Sequence, residues 1–155
     1  MSLIEKLQEL VLPQHRLKKK INNYIKHKNK NGLRKYYYTF LRDLYSVRYG
    51  IEIGVDTVFD GYVDFPHPRN ILIGEGAKIG KNFCVYNNVT IGQKNGKYPI
   101  IGDNVTVYSG TIIIGEIHIG NNVIIGANSL VNKDIEDDVI VAGNPAKIIR
   151  KRSRI

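Results

Sequence analysis

The chain has 155 residues, 23 Lys and Arg against 14 Asp and Glu, and a formal net charge of +9. That length fits one compact domain with an appendage, and the single cysteine, Cys84, excludes an internal disulfide and fits a reducing compartment. No apolar run is long enough to span a bilayer and no signal-peptide core is present, so the cytoplasm is the expected location, with the inner face of the membrane as a variant of it.

The charge sits at the start of the chain. Residues 1–50 hold twelve Lys/Arg and three Asp/Glu, whereas residues 51–155 hold eleven of each. Leu3, Ile4, Leu7, Leu10 and Val11 recur at helical spacing over 2–12, and Pro13 breaks or bends that helix. A second helix is expected from about Arg16 to Lys28, a loop at Asn29-Lys30-Asn31-Gly32, and a third helix from Leu33 to Arg48. The third carries Tyr36, Tyr37, Tyr38 and Tyr45, with Tyr49 just beyond. The lysine run from Lys18 through Lys26, Lys28 and Lys30 reads as a solvated helix face. A functional reading is peripheral contact with an anionic membrane or a polyanionic glycan. Nucleic acid is the poorest reading, because no DNA- or RNA-binding fingerprint accompanies the charge.

From Ile73 onward an aliphatic residue falls on every sixth position: Ile73, Ile79, Val85, Ile91, then Ile101, Val107, Ile113, Ile119, Ile125 and Val131. The step from Ile91 to Ile101 is four residues longer and coincides with the polar insert 93–99. Ile53, Phe59, Phe65 and Ile71 extend the repeat backwards, with a two-residue shift before Ile73. A six-residue period is the mark of a parallel β-helix, in which three repeats make one triangular coil of about 18 residues. Asn82, Asn88, Asn104, Asn122 and Asn128 recur three residues after the aliphatic position, at corners where positive φ is needed. Stacked coils need a cap at each end, and the tyrosine-rich helix is expected to cover the open one. The expected organisation is a basic helical segment over 1–48, a mainly β solenoid over 49–145 with a loop insert at 93–99, and a basic tail over 146–155.

Regular scaffolds place function at their irregularities. The segment Asp64-Phe65-Pro66-His67-Pro68-Arg69-Asn70 interrupts the repeat and displays a histidine. His118 falls at an outward position of a regular repeat, and His15 and His27 lie in the basic helices. Four histidines so placed do not make a zinc site, so no metal is expected.

The hexapeptide repeats, the displayed His67, the insert before Tyr98-Pro99 and the ending Ala142-Gly143-Asn144-Pro145-Ala146-Lys147 resemble the serine acetyltransferase-like branch of the left-handed β-helix acyltransferases over roughly residues 41–150. The resemblance implies left-handed coils, a homotrimer and acetyl-CoA bound between neighbouring prisms. It also implies that His67 is the general base, a role suited to a neutral imidazole. The family's orienting carboxylate, fifteen residues earlier, falls on Glu52. Backbone in Tyr108-Ser109-Gly110 would serve the thioester oxyanion. Gly126 and Ala127 would bond the pantetheine arm. Lys147 and Arg150, with Lys151 and Arg152, would hold nucleotide phosphates or else form a frayed, solvated end. Asn87, Asp64, Lys97 and Tyr98 are the candidate acceptor contacts, with loop 93–99 folding over a neighbouring subunit's site.

Two positions depart from the branch. Serine acetyltransferases carry an aspartate immediately before the catalytic histidine, where this chain has Pro66, and a second histidine where it has Tyr98. The N-terminal segment is also far shorter than theirs. The expected function is therefore acetyl-CoA-dependent O-acetylation of a sugar hydroxyl in capsule, lipopolysaccharide or exopolysaccharide assembly. Serine O-acetylation in cysteine synthesis and sugar N-acetylation are the enzymatic alternatives. A non-catalytic β-helix scaffold is the alternative from another class.

Overall fold

The computed structural model describes residues 13–27 and 33–152. The helix expected over 2–12 and the loop at 29–32 lie outside them. Helix α1 spans Pro13–His27 and α2 spans Leu33–Tyr49. The first begins earlier than expected, at the proline itself. A first-turn residue needs no N–H partner and proline's φ is already helical, so Pro13 opens the helix.

Fifteen short strands follow among the described residues, three to each of the first four coils. The first coil holds β1 (Ile51–Ile53), β2 (Val58–Phe59) and β3 (Val63–Asp64); the second holds β4 (Ile71–Ile73), β5 (Lys78–Ile79) and β6 (Phe83–Val85). The third holds β7 (Thr90–Gly92), β8 (Ile100–Ile101) and β9 (Thr106–Val107); the fourth holds β10 (Ile112–Ile114), β11 (His118–Ile119) and β12 (Ile124–Ile125). The last coil has β13 (Leu130–Val131), a bridge at Ile135 and β14 (Val139–Ala142), after which β15 (Lys147–Lys151) turns back antiparallel. The strands stack into three sheets in the orders β1-β4-β7-β10-β13, β2-β5-β8-β11 and β3-β6-β9-β12-β14-β15. All pairings are parallel except the last.

The repeat has its physical cause in the core. Ile53, Ile73, Ile91, Ile113 and Val131 form one buried column, and Val85, Val107, Ile125 and Val141 form another. All five corner asparagines have positive φ, between 53° and 58°. They also bond to each other. Asn82 donates to Asn104 at 2.9 Å, Asn104 to Asn122 at 3.0 Å, and Asn122 to Asp138 at 2.9 Å. Asparagine thus suits the corner backbone and joins coil to coil through its amide.

Both breaks in period are now placed. Asp64 pairs with Cys84, twenty residues on, while Asn70 bonds to Asn88, eighteen on. The two extra residues therefore lie in 65–69, the corner that displays His67. The insert 93–99 is a hairpin in which Lys94 and Lys97 bridge across Asn95 and Gly96, at φ 56° and 77°. Positive φ at both central residues is what a tight two-residue turn requires, and Asn-Gly supplies it.

The helices cover the first coil. Leu17, Ile21 and Tyr24 of α1 and Tyr45 of α2 are buried, with the Tyr24 and Tyr45 rings edge to face at 6.4 Å. The tyrosines divide, however. Tyr45 is buried and Tyr49 half-buried, but Tyr36 and Tyr37 point to solvent. The Asn22 side chain completes the edge of β3, donating to Val63 O at 2.8 Å and accepting from Val63 N at 2.9 Å. An amide side chain there does what a further strand would do for an exposed edge.

Candidate active site

The expanded corner opens a cleft of about 510 Å³ lined by Leu17, Tyr49, His67, Pro68, Arg69, Asn70, Asn87 and Asn88. Pro68 is buried and anchors the loop, so His67 projects outward. Arg69 is the one full charge among the lining residues. Its guanidinium lies 6.0 Å from the Tyr49 ring centre, which Arg48 approaches at 5.9 Å. Helix α1 reaches this cleft through Leu17, so the cap and the site share a wall.

Several expected residues meet here. Ser109 Oγ donates to Asn87 Oδ1 at 2.9 Å, and Gly110 N donates to the Asn87 carbonyl at 3.1 Å. Asn87 thereby ties the His67 cleft to the next coil. Gly110 carries φ +74°, and a Cβ there would lie 2.1 Å from Asn128 Oδ1. Glycine accepts this φ without strain and leaves room for the asparagine below. Its N–H is already engaged, whereas the Ser109 N–H has no acceptor among the described residues. Of that segment, Ser109 is the backbone donor open to an oxyanion. Gly126 is one coil further on. Its N–H goes to Val141 and its carbonyl accepts from Thr111 and Ser129, so Gly126 offers a ligand its lack of a side chain and no backbone bond. Ala127 beside it is exposed.

The remaining candidates lie apart from this cleft in the single chain. Glu52 does not reach His67. Its register partner is Leu72, beyond the corner loop, and Ser46 Oγ donates to its Oε1 at 3.1 Å. It lines a separate cavity of about 430 Å³ with Arg42, Ser46 and Glu75. Asp64 pairs with Lys18 at 3.0 Å and accepts from the Cys84 thiol at 3.8 Å, outside the cleft lining. Burial, then the Asp64 charge, pushes that thiol up to about 11. Lys97 forms an ion pair with Glu116 of its own chain. Tyr98 lies flat on its own preceding coil, where a Cβ on Gly74 or Gly76 would come within 2.4 or 2.5 Å of its ring. Lys147 and Arg150 are exposed on β15, which pairs with β14.

One feature was missed in the sequence. The Tyr86 and Tyr108 rings stack at 4.8 Å and 27°, and His67 lies tilted at 5.9 Å from Tyr86. The two tyrosines are 22 residues apart, which is one coil plus the four-residue insert. Counting through the insert would have found them. They form an aromatic shelf beside the displayed histidine, on the ladder that continues to Gly126.

A prism of hexapeptide coils is the architecture of the hexapeptide-repeat transferases, and the family described as bacterial transferase hexapeptide (six repeats) matches residues 98–133. A serine acetyltransferase of Staphylococcus epidermidis is 37% identical over 109 residues, 68% of this chain and 51% of that protein. The crystal structure of the Neisseria gonorrhoeae serine acetyltransferase in complex with serine superposes with a TM-score of 0.68 at 32% identity, over 76% of this chain and 50% of that one. That of the Brucella abortus strain S19 enzyme in complex with coenzyme A gives 0.72 at 28% identity, over 79% and 50%. The chain belongs to the serine acetyltransferase-like branch of the hexapeptide-repeat acyltransferases, with their left-handed β-helix. It spans about half the length of the curated relatives it matches.

Proposed function

We propose that the chain is an acetyl-CoA-dependent O-acetyltransferase with His67 as its general base. The observation that carries this is His67 itself, held outward in a cleft at a corner that two extra residues expand. In the proposed reaction a neutral ring nitrogen of His67 takes the proton from an acceptor hydroxyl. The oxygen attacks the thioester carbonyl, the Ser109 N–H steadies the oxyanion, and the acetyl group leaves the CoA sulfur for the acceptor. His67 then returns the proton to the departing thiolate, so charge balances. Glu52 is not on hand within one chain to orient the imidazole. Tyr86 is the nearest described ring, and in this reading it limits the tilt of His67.

The acceptor we favour first is L-serine. The relatives are serine acetyltransferases, which weighs against the sugar hydroxyl expected from the sequence. The structure weakens one ground for that expectation. Tyr98 is tied to packing over Gly74 and Gly76, so its identity reports on the fold more than on the acceptor. A sugar hydroxyl stays as the second reading because of Pro66 and the Tyr86–Tyr108 shelf, a flat surface on which a pyranose ring could stack. We further propose a homotrimer with its sites between prisms, Gly126 and Ala127 on the pantetheine path, and Lys147 and Arg150 near the nucleotide phosphates.

The test is release of free thiol from acetyl-CoA with L-serine, hexoses, amino sugars and nucleotide sugars offered separately. Stimulation by serine alone supports the first reading, and stimulation by a hexose unit alone supports the second. A chain that neither binds acetyl-CoA nor releases thiol is a scaffold.

A further inference from the structure

Helix α2 has two apolar faces. Leu41, Tyr45 and Tyr49 pack inward. Tyr36, Tyr37, Phe40, Leu44 and Val47 form a second stripe covering roughly 100° of the helix surface. It is open to solvent: Val47 is 89% exposed, Tyr36 76% and Phe40 63%. A continuous stripe of large apolar side chains on a small protein marks an interaction surface.

Charge identifies what fits it. Helix α1 carries Arg16, Lys18, Lys19, Lys20 and Lys26 and no acidic residue; α2 carries Arg34, Lys35, Arg42 and Arg48 against Asp43 alone. The first 50 residues hold the whole excess of basic charge, while the β-helix is balanced. A second copy docked on the stripe would bring two such cationic segments together. A free polyanion would satisfy the charge and leave the aromatic and aliphatic side chains in water. A surface that is anionic at its face and hydrocarbon beneath satisfies both. We propose that α2 lays its Tyr36–Val47 stripe into the interface of an anionic lipid membrane, with the exposed Lys20 and Lys26 of α1 and Arg48 of α2 held at the headgroups. No helix of the described residues is long and apolar enough to cross a membrane.

The test is co-sedimentation of the full chain with vesicles of phosphatidylcholine, with and without about a third phosphatidylglycerol. Wild type is expected to bind the anionic vesicles at least about ten-fold more tightly and to be released by high salt. Phe40→Ser with Val47→Ser is expected to lose about ten-fold or more in binding while keeping its circular dichroism spectrum. Lys20→Glu with Lys26→Glu is expected to abolish the preference for anionic lipid. Equal binding to both vesicles, no binding to either, or unchanged binding by the serine variant would each overturn the proposal. So would a change of oligomeric state in that variant by sedimentation velocity, which would assign the stripe to contact between copies.

Discussion

Asn22 is the smallest change that should loosen the cap from the prism. Val63 is buried at the outer edge of its sheet, and both its N–H and its C=O are satisfied by that one amide, at 2.9 and 2.8 Å. Asn22→Ala orphans a donor and an acceptor together. Each buried orphan costs about 1–3 kcal/mol. Asn22 is only half-buried, so water recovers part of this, and a loss of about 2–4 kcal/mol is expected. At about 2–4 °C per kcal/mol for a chain of this size, the midpoint should fall by roughly 5–15 °C. Asn22→Asp keeps an acceptor for the N–H but sets an anionic oxygen against the Val63 carbonyl. Its defect should be at least as large at neutral pH and should shrink in acid, where a protonated carboxyl again donates. Thermal melts followed by circular dichroism, with hydrogen exchange at the Val63 amide, read both effects. A midpoint within about 1 °C of wild type for Asn22→Ala, with Val63 still protected, would refute the reasoning.

Tyr45 has a buried hydroxyl with no partner among the described residues, and burial pushes its phenol up to about 12, with the neighbouring Tyr37 and Tyr49 adding to the shift. Its folded-state value lies above the unfolded one, so its share of stability is complete below about pH 10 and is lost as pH rises towards 12. Tyr45→Phe should be neutral or stabilising by up to about 1 kcal/mol and should flatten that alkaline decline, as denaturant titrations across pH would show. The Cys84 thiol, raised to about 11, should react with iodoacetamide far more slowly at pH 8 than a free thiol, with the rate still climbing above pH 10; a plateau near pH 9 would contradict the burial argument. Gly76→Ala would put a methyl about 2.5 Å from the Tyr98 ring and should displace the 93–99 hairpin, costing about 1–3 kcal/mol; Tyr98→Ala in the same background should recover much of that loss in a double-mutant cycle.

The solenoid was legible because one cause repeats. Ten inward positions carry an aliphatic side chain at period six, and five corners with positive φ carry asparagine, so the coils can be counted along the chain. Even the interruptions carried information: the extra residues before Ile73 and after Ile91 became the His67 corner and the Asn95-Gly96 hairpin. Side-chain partnerships were less legible. Glu52 and His67 stand fifteen residues apart, but whether they meet depends on strand register, which sets Glu52 beside Leu72 and leaves it to Ser46. Tyr98 could be read as an acceptor contact until its ring was seen to rest on Gly74 and Gly76. The tyrosine-rich helix was assigned wholly to the cap, yet a helix has two sides, and Tyr36 and Tyr37 occupy the outer one.

The central claim is that His67 is the base of an acetyl transfer, and one comparison tests it most directly. Steady-state thiol release from acetyl-CoA with the best acceptor would be measured for wild type and His67→Ala, alongside acetyl-CoA affinity by calorimetry. His67 is exposed, so its removal should leave the fold and the affinity unchanged. Turnover should fall by about 10²–10⁴. A His67→Ala chain that binds acetyl-CoA normally and turns over at the wild-type rate would contradict the account and move the chemistry away from the expanded corner.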